Sequence, residues 1–194
     1  MTELLGLIGF AFVVSVTPGP NNSLLLASGL RFGFRRTARH VAGTAVGMGV
    51  LILVMAGGVG VALLALPGVD LALKLIGSAY LVYLAYRIAR SHGTSRTVVS
   101  RPLGVLNAAA FQFANPKAWL FGLAAAGTFL PPGLGTAAAL VVAATSAVVI
   151  IGTATVWAAG GAALARVVDD GRAQRAANLA LALILAASVA FIWI

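Results

Sequence analysis

Residues 15–23 read SVTPGPNNS, and they lie inside an apolar stretch that opens at Leu4. Pro18 has no N–H to give the carbonyl of Val14, and Pro20 has none for that of Val16. In hydrocarbon a freed carbonyl is costly unless another group meets it. A break of this kind therefore persists only where it lines a cavity or is covered by protein. Thr17 is placed to cap a new helix, with Pro18 at its first position and Pro20 in its first turn. The spacing predicts a first span that stops near residue 16 and restarts near residue 18, its second half aiming backbone N–H groups at the membrane midplane.

The rest of the chain supports a membrane setting. Of 194 residues, 61% are hydrophobic and 9% charged, against roughly 25% charged in soluble domains. Cysteine is absent, which excludes disulfides and thiolate metal sites. Two histidines and four acids leave little for a metal centre or a carboxylate pair. No cofactor is expected, and no paired acids, HExxH or Ser–His set indicates an enzyme. The net charge of +9 sits in short gaps between apolar runs, so it reads as orientation charge and not as a nucleic-acid surface. Glu3 and the lack of a basic leader predict that the first span stays in the mature protein.

Continuous apolar runs of about 20 residues read as helices and not as barrel strands. Six are predicted, near 4–29, 42–66, 71–89, 103–130, 136–164 and 176–194. The connections PGVD (67–70) and PPGLG (131–135) read as tight turns. Every arginine lies in or beside alternate connections: Arg31, Arg35, Arg36 and Arg39; then Arg87, Arg90, Arg96 and Arg101; then Arg166, Arg172 and Arg175. The positive-inside rule makes these three cytoplasmic and both termini external, with Trp193 at the outer interface. Leu4 and Leu103 open two halves of three spans each, and Pro18 and Pro116 break them at matching depth. That is the pattern of an inverted 3+3 repeat. The expected fold is one all-α transmembrane transporter domain over 1–194, with halves of about 1–95 and 100–194.

The second break is FQFANPKAW (111–119). Asn115 suits an N-cap and Pro116 a first helical residue, while Pro116 frees the carbonyl of Gln112. Lys117 falls near mid-depth, where a lysine costs about 2.5–3.5 kcal/mol on insertion scales. A lysine is also disfavoured at a helix N-terminus. An anion against it would relieve both penalties. Two half-helix N-termini, Lys117, and the amides and hydroxyls of Asn21, Asn22, Ser23, Gln112 and Asn115 suit a carboxylate. Open carbonyls at Val14, Val16 and Gln112 suit an ammonium, and a ligand with both groups is an α-amino acid. The plainer readings are a simple proline kink and a Lys117 tethered to a neighbouring carbonyl.

Gly43–Gly47 and Gly29–Gly33 are GxxxG pairs that read as close helix packing, as do glycines 57, 58, 60, 152, 160 and 161. Asp70 and Lys74 are spaced for an interfacial ion pair. Tyr80 lies near mid-depth and is a candidate for reaching the site. Trp119 and Trp157 read as core, and Asp169 and Asp170 as a solvated face. No Asp or Glu falls inside a predicted span, which leaves Lys117, a protonated substrate, or no proton at all for coupling.

TPGPNN (17–22), GFRRTARHVAGTAVG (33–47), IGSAYLVYLAYRIARS (76–91) and FQFANPKAWLFG (111–122) resemble the LysE/RhtB family of bacterial amino-acid exporters, over essentially the whole chain. TPGPNN, FQFAN and WAAGGAALAR look most like the cysteine/O-acetylserine exporters within it. The resemblance implies efflux across the bacterial inner membrane, driven by the membrane potential or a proton gradient. It lands on Pro18, Gly19, Pro20 and Asn21, on Asn115, Pro116 and Lys117, and on Gly43 and Gly47. Many relatives carry an acidic or polar residue where this chain has Met48, which argues against a cationic substrate. The combined expectation is a secondary transporter exporting a small amino acid or derivative by alternating access. Its substrate site draws on Thr17, Pro18, Gly19, Pro20, Asn21, Asn22, Tyr80, Gln112, Asn115, Pro116 and Lys117. The partners are the substrate and the lipid bilayer, and the glycine-rich faces are compatible with a homodimer. The alternatives are a non-transporting membrane scaffold or complex subunit, and a metal-ion exporter.

Overall fold

The computed structural model describes residues 2–59, 62, 65–90, 101–130, 135–166, 171–187 and 189–193. Every regular element among them is a helix: α1 (Thr2–Val16), α2 (Pro20–Phe32), α3 (Phe34–Ala56), α4 (Val69–Ala89), α5 (Val105–Phe113), α6 (Pro116–Phe129), α7 (Gly135–Leu164), α8 (Gly171–Ala187) and α9 (Ala190–Trp193). The protein is thus all-α. α3 and α7 are long and apolar enough to cross a membrane, and α1 with α2 makes a third such stretch, bent by 62° at the break. Helices also occupy the other three predicted spans, α5 and α6 sharing one of them. Residues 91–100 (with His92, Gly93 and Arg96), residues 131–134, Asp169, Asp170 and Gly60 lie outside the described residues, as do the side chains of Asp70 and Arg87.

α7 is the central helix and packs against α1, α2 and α3, while α3 in turn packs against α5 and α6. A core of Leu7, Leu51, Ile52, Met55, Phe121, Val142 and Ile150 fills the space among α1, α3, α6 and α7. A second cluster, with Leu24, Leu81, Ile88, Phe111, Leu181 and Leu185, joins α4 and α8 to α2 and α5. The outward faces stay apolar, as at Leu106, Val148 and Ile76. In lipid such faces give helices no reason to associate, so contact between small residues and shared hydrogen bonds must do it.

The glycines show how. A Cβ at Gly47 would lie 2.6 Å from the Ala109 backbone and 2.9 Å from Gln112 Cγ. One at Gly43 would overlap the Val105 carbonyl, so the Gly43–Gly47 face seats α3 directly on α5. Gly29 and Gly161 do the same between α2 and α7, each against a carbonyl of the other helix. Gly33 has a different use from the close packing expected of it. Its φ of 76° makes it the single-residue corner between α2 and α3, a backbone setting that favours glycine. The Ser28 and Thr37 hydroxyls meet across that corner at 2.9 Å.

This corner corrects the predicted first connection. Arg31 belongs to α2, and Arg35, Arg36 and Arg39 to the start of α3, in place of a loop. Helix continues because one glycine turns the chain, and each arginine still reaches the exposed side. Arg172 and Arg175 likewise begin α8.

Gly47→Ala should lower the stability of the detergent-solubilised protein by about 1–3 kcal/mol, the usual cost of overpacking. Gly152→Ala, where nothing among the described residues lies within 4 Å of the new Cβ, should not. Equal thermal midpoints for the two variants would contradict the close seating of α3 on α5.

Candidate functional site

The break after α1 spans Thr17 to Gly19, and α2 restarts at Pro20. That is two residues later than predicted. Gly19 stands at the N-cap position, and no side chain caps the helix. Thr17 is not the cap because its hydroxyl turns back to donate to the Val14 carbonyl at 2.8 Å. Trp157 Nε1 donates to the Val16 carbonyl at 3.2 Å. Asn22 Nδ2 donates to the carbonyls of Ser15 (2.7 Å) and Thr17 (2.8 Å). The carbonyls of Val14 and Val16, predicted to be open for an ammonium, are therefore occupied by the protein's own donors.

The second break is shorter. α5 ends at Phe113 and α6 starts at Pro116, with Asn115 at the N-cap position. The Gln112 carbonyl, also predicted to be open, accepts from the Asn115 backbone N–H at 3.2 Å. Trp119 Nε1 donates to the Phe113 carbonyl at 2.9 Å. An indole thus braces each break, a use not seen in the reading of Trp119 and Trp157 as core. Asn115 does not cap with its side chain. Its Nδ2 points to Gln112 Oε1 at 3.5 Å, and its buried Oδ1 has no partner among the described residues.

Lys117 joins the two breaks. Its ammonium donates to the Thr17 carbonyl (2.8 Å), the Thr17 hydroxyl (2.7 Å) and the Pro18 carbonyl (3.1 Å). The ammonium has three N–H donors, and all three are engaged. This is the tether reading of Lys117, and in this state an anion does not take its place. The arrangement removes the dipole penalty expected at the start of α6, because the charge is carried over to the carbonyl end of α1, where a cation is favoured. Gly19 makes the passage: a Cβ there would stand 2.9 Å from Lys117 Cδ and 3.1 Å from Nζ.

Asn21 ties the helices together beneath this tether. Its Oδ1 accepts from Thr44 Oγ1 (3.1 Å) and Gln112 Nε2 (3.1 Å), with His40 Nε2 at 3.3 Å. One amide oxygen in the first turn of α2 thereby holds α3 and α5. The three side chains that meet it are buried, His40 and Gln112 to 1% exposure and Thr44 to 3%.

A cavity of about 50 Å³ opens between the breaks. Of the predicted site residues, Gly19, Pro20, Asn21, Asn22, Gln112, Asn115 and Lys117 line it. Thr17 and Pro18 lie behind Lys117 as its acceptors. Pro116 is seated against Gly77 of α4, where a Cβ would overlap its ring. Tyr80 is not in the wall; its ring packs on Phe111 at a centroid distance of 5.8 Å. Thr44, Ser15 and Thr153 add hydroxyls to the lining, and Met48, Phe121 and Ile150 add apolar surface. Sequence reasoning missed Thr44 as a lining residue, and His40, which stands outside the lining behind Asn21. Their signal was a polar pair one helical turn apart, on the face that also carries Gly43 and Gly47.

The pattern of residues 12–192 matches the family described as LysE type translocator. The chain belongs to that family. That family is described as one of translocators. It is 35% identical over 124 residues to the cysteine/O-acetylserine efflux protein of Salmonella paratyphi A, and 33% identical to that of Escherichia coli K12. Each alignment covers 63% of this chain and 63% of the relative's length. No solved structure matches. Both breaks and the cavity between them fall inside the matched LysE type region.

Lys117→Met removes three charge-assisted hydrogen bonds from the end of α1 and should cost about 1–3 kcal/mol in thermal stability. Gly19→Ala, which keeps the charge but obstructs its passage, should reproduce part of that loss. Unchanged melting of both variants would show that the tether holds nothing.

Proposed function

We propose that the protein exports a small amino acid or derivative, of the cysteine or O-acetylserine kind, across the bacterial inner membrane by alternating access. The proposed topology has six spans, an inverted 3+3 repeat and both termini outside, in a single transporter domain. Arginines gathered at and beside the helix ends that flank alternate connections support the orientation. Paired breaks at Pro18–Pro20 and Pro116 support the repeat.

One observation carries the substrate reading. An ammonium, that of Lys117, already rests on the Thr17 and Pro18 carbonyls at the edge of the cavity. A substrate's α-ammonium fits the same acceptors. On entering it displaces Lys117, and the freed lysine then pairs with the substrate's carboxylate. One zwitterion thus satisfies both halves of the opened contact. A cation or an anion alone satisfies one half and leaves the other unpaired in a site of low polarity. Asn115 Oδ1, buried and without a partner among the described residues, supplies a further acceptor. Met48, Phe121 and Ile150 give a short apolar wall for the side chain. The similar cysteine/O-acetylserine efflux proteins support the choice of a small neutral substrate.

Proteoliposomes carrying the protein should accumulate labelled O-acetylserine in counterflow, and Lys117→Ala should abolish this while still inserting. Absence of counterflow in the parent protein would favour the scaffold reading. Undiminished counterflow in the variant would remove Lys117 from the site.

A further inference from the structure

We propose that His40 is the proton-binding group of the transport cycle, exchanging one proton with water for each substrate carried the other way. The proposal rests on the export reading above. The side chain is 1% exposed, and its Nε2 lies 3.3 Å from Asn21 Oδ1. That oxygen also receives the Gln112 amide, and it shares the single Thr44 hydroxyl hydrogen (3.1 Å) with the His40 carbonyl (3.0 Å). An amide oxygen can only accept, so Nε2 carries the hydrogen and Nδ1 is left with a bare lone pair. Among the described residues, the buried Nδ1 has no partner. The imidazole is thus anchored on a cavity wall by one nitrogen and has a vacant proton acceptor at the other.

The surroundings leave this role to His40. The helices packed against α3 are α2, α5, α6 and α7. By sequence α5 and α7 contain no titratable residue, α2 contains only Arg31, and α6 only Lys117. Arg31 is exposed, and the Lys117 ammonium is engaged by Thr17 and Pro18. The other charged groups of α3, Arg35, Arg36 and Arg39, are exposed. The side chains that hydrogen-bond toward His40 and its anchor are neutral.

Coupling follows from the shared anchor. Protonation at Nδ1 makes Nε2–H a charge-assisted donor, which draws Asn21 Oδ1 away from Thr44 and Gln112. Asn21, Thr44 and Gln112 all line the cavity, so the proton and the substrate bias the same wall and therefore each other. Thr37, one turn earlier on the same face, continues the polar groups toward Ser28 and the Gly33 carbonyl. The chemistry is one N–H bond formed at Nδ1 from water on the acidic side and broken to water on the other, with no electrons transferred.

His40→Gln keeps an N–H donor for Asn21 and removes the titrating lone pair. In proteoliposomes loaded with labelled O-acetylserine, the parent should show faster efflux when the outside is acidified. The variant should retain counterflow at equal pH but lose that acceleration and its pH dependence. An acceleration equal to the parent's would overturn the proposal and leave the export reading standing. A parent without counterflow would overturn both. A second measurement needs no change at position 40: His92→Asn leaves His40 as the single histidine, and its imidazole 15N signals report the protonation state. Nε2–H with bare Nδ1 at rest and a doubly protonated ring under an acid gradient are expected. An Nδ1–H resting tautomer, or a ring that stays neutral while the gradient drives efflux, would overturn it.

Discussion

The ammonium of Lys117 on the carbonyls of Thr17 and Pro18 is the contact on which the site depends. It links residues a hundred positions apart and joins the two interrupted helices. Each partner would be a liability alone. A lysine within an apolar segment and carbonyls freed by proline are both costly in hydrocarbon. Placed together they cancel, and the dipole of α1 favours the charge at its carbonyl end. The contact joins the two breaks, and in the export reading proposed above an amino acid matches its groups one for one. A transport site needs such an exchange, because a ligand shifts a conformational equilibrium only through contacts that differ between states.

The remaining structure keeps this contact in place with neutral groups. Asn22, Thr17 and Trp157 occupy the other carbonyls of the first break, and Trp119 braces the second. Asn21 fixes α2 to α3 and α5 through one oxygen. Glycines at 29, 43, 47 and 161 bring backbones close enough for these short side chains to reach. Small residues and shared hydrogen bonds thus supply in lipid the cohesion that apolar burial supplies in water.

Much of this was legible in the sequence because proline acts locally. The two breaks, the cap position of Asn115 and the polar set around Asn21 follow from residue type and spacing. The close packing at Gly43 and Gly47 does too. What was not legible came from partners distant in the chain. Val14 and Val16 were read as open because Trp157 and a turned-back Thr17 could not be anticipated. Lys117 was assigned to an anion for the same reason: its true acceptors lie in the other half. The Arg31–Arg39 stretch reads as a loop in sequence, which does not show that Gly33 alone makes the corner. His40 was overlooked beside three arginines, though it faces inward and they face outward.

The most direct measurement follows the Lys117 ammonium itself. Lys74→Arg leaves it the only lysine, so its 15Nζ contacts can be read by solid-state NMR in lipid with 13C-labelled Thr17 and Pro18 carbonyls. The account predicts contact with those carbonyls in the empty protein. On adding 13C-carboxyl O-acetylserine it predicts their replacement by contact with the substrate's carboxylate. A bound substrate with Nζ still on Thr17 and Pro18 would contradict it.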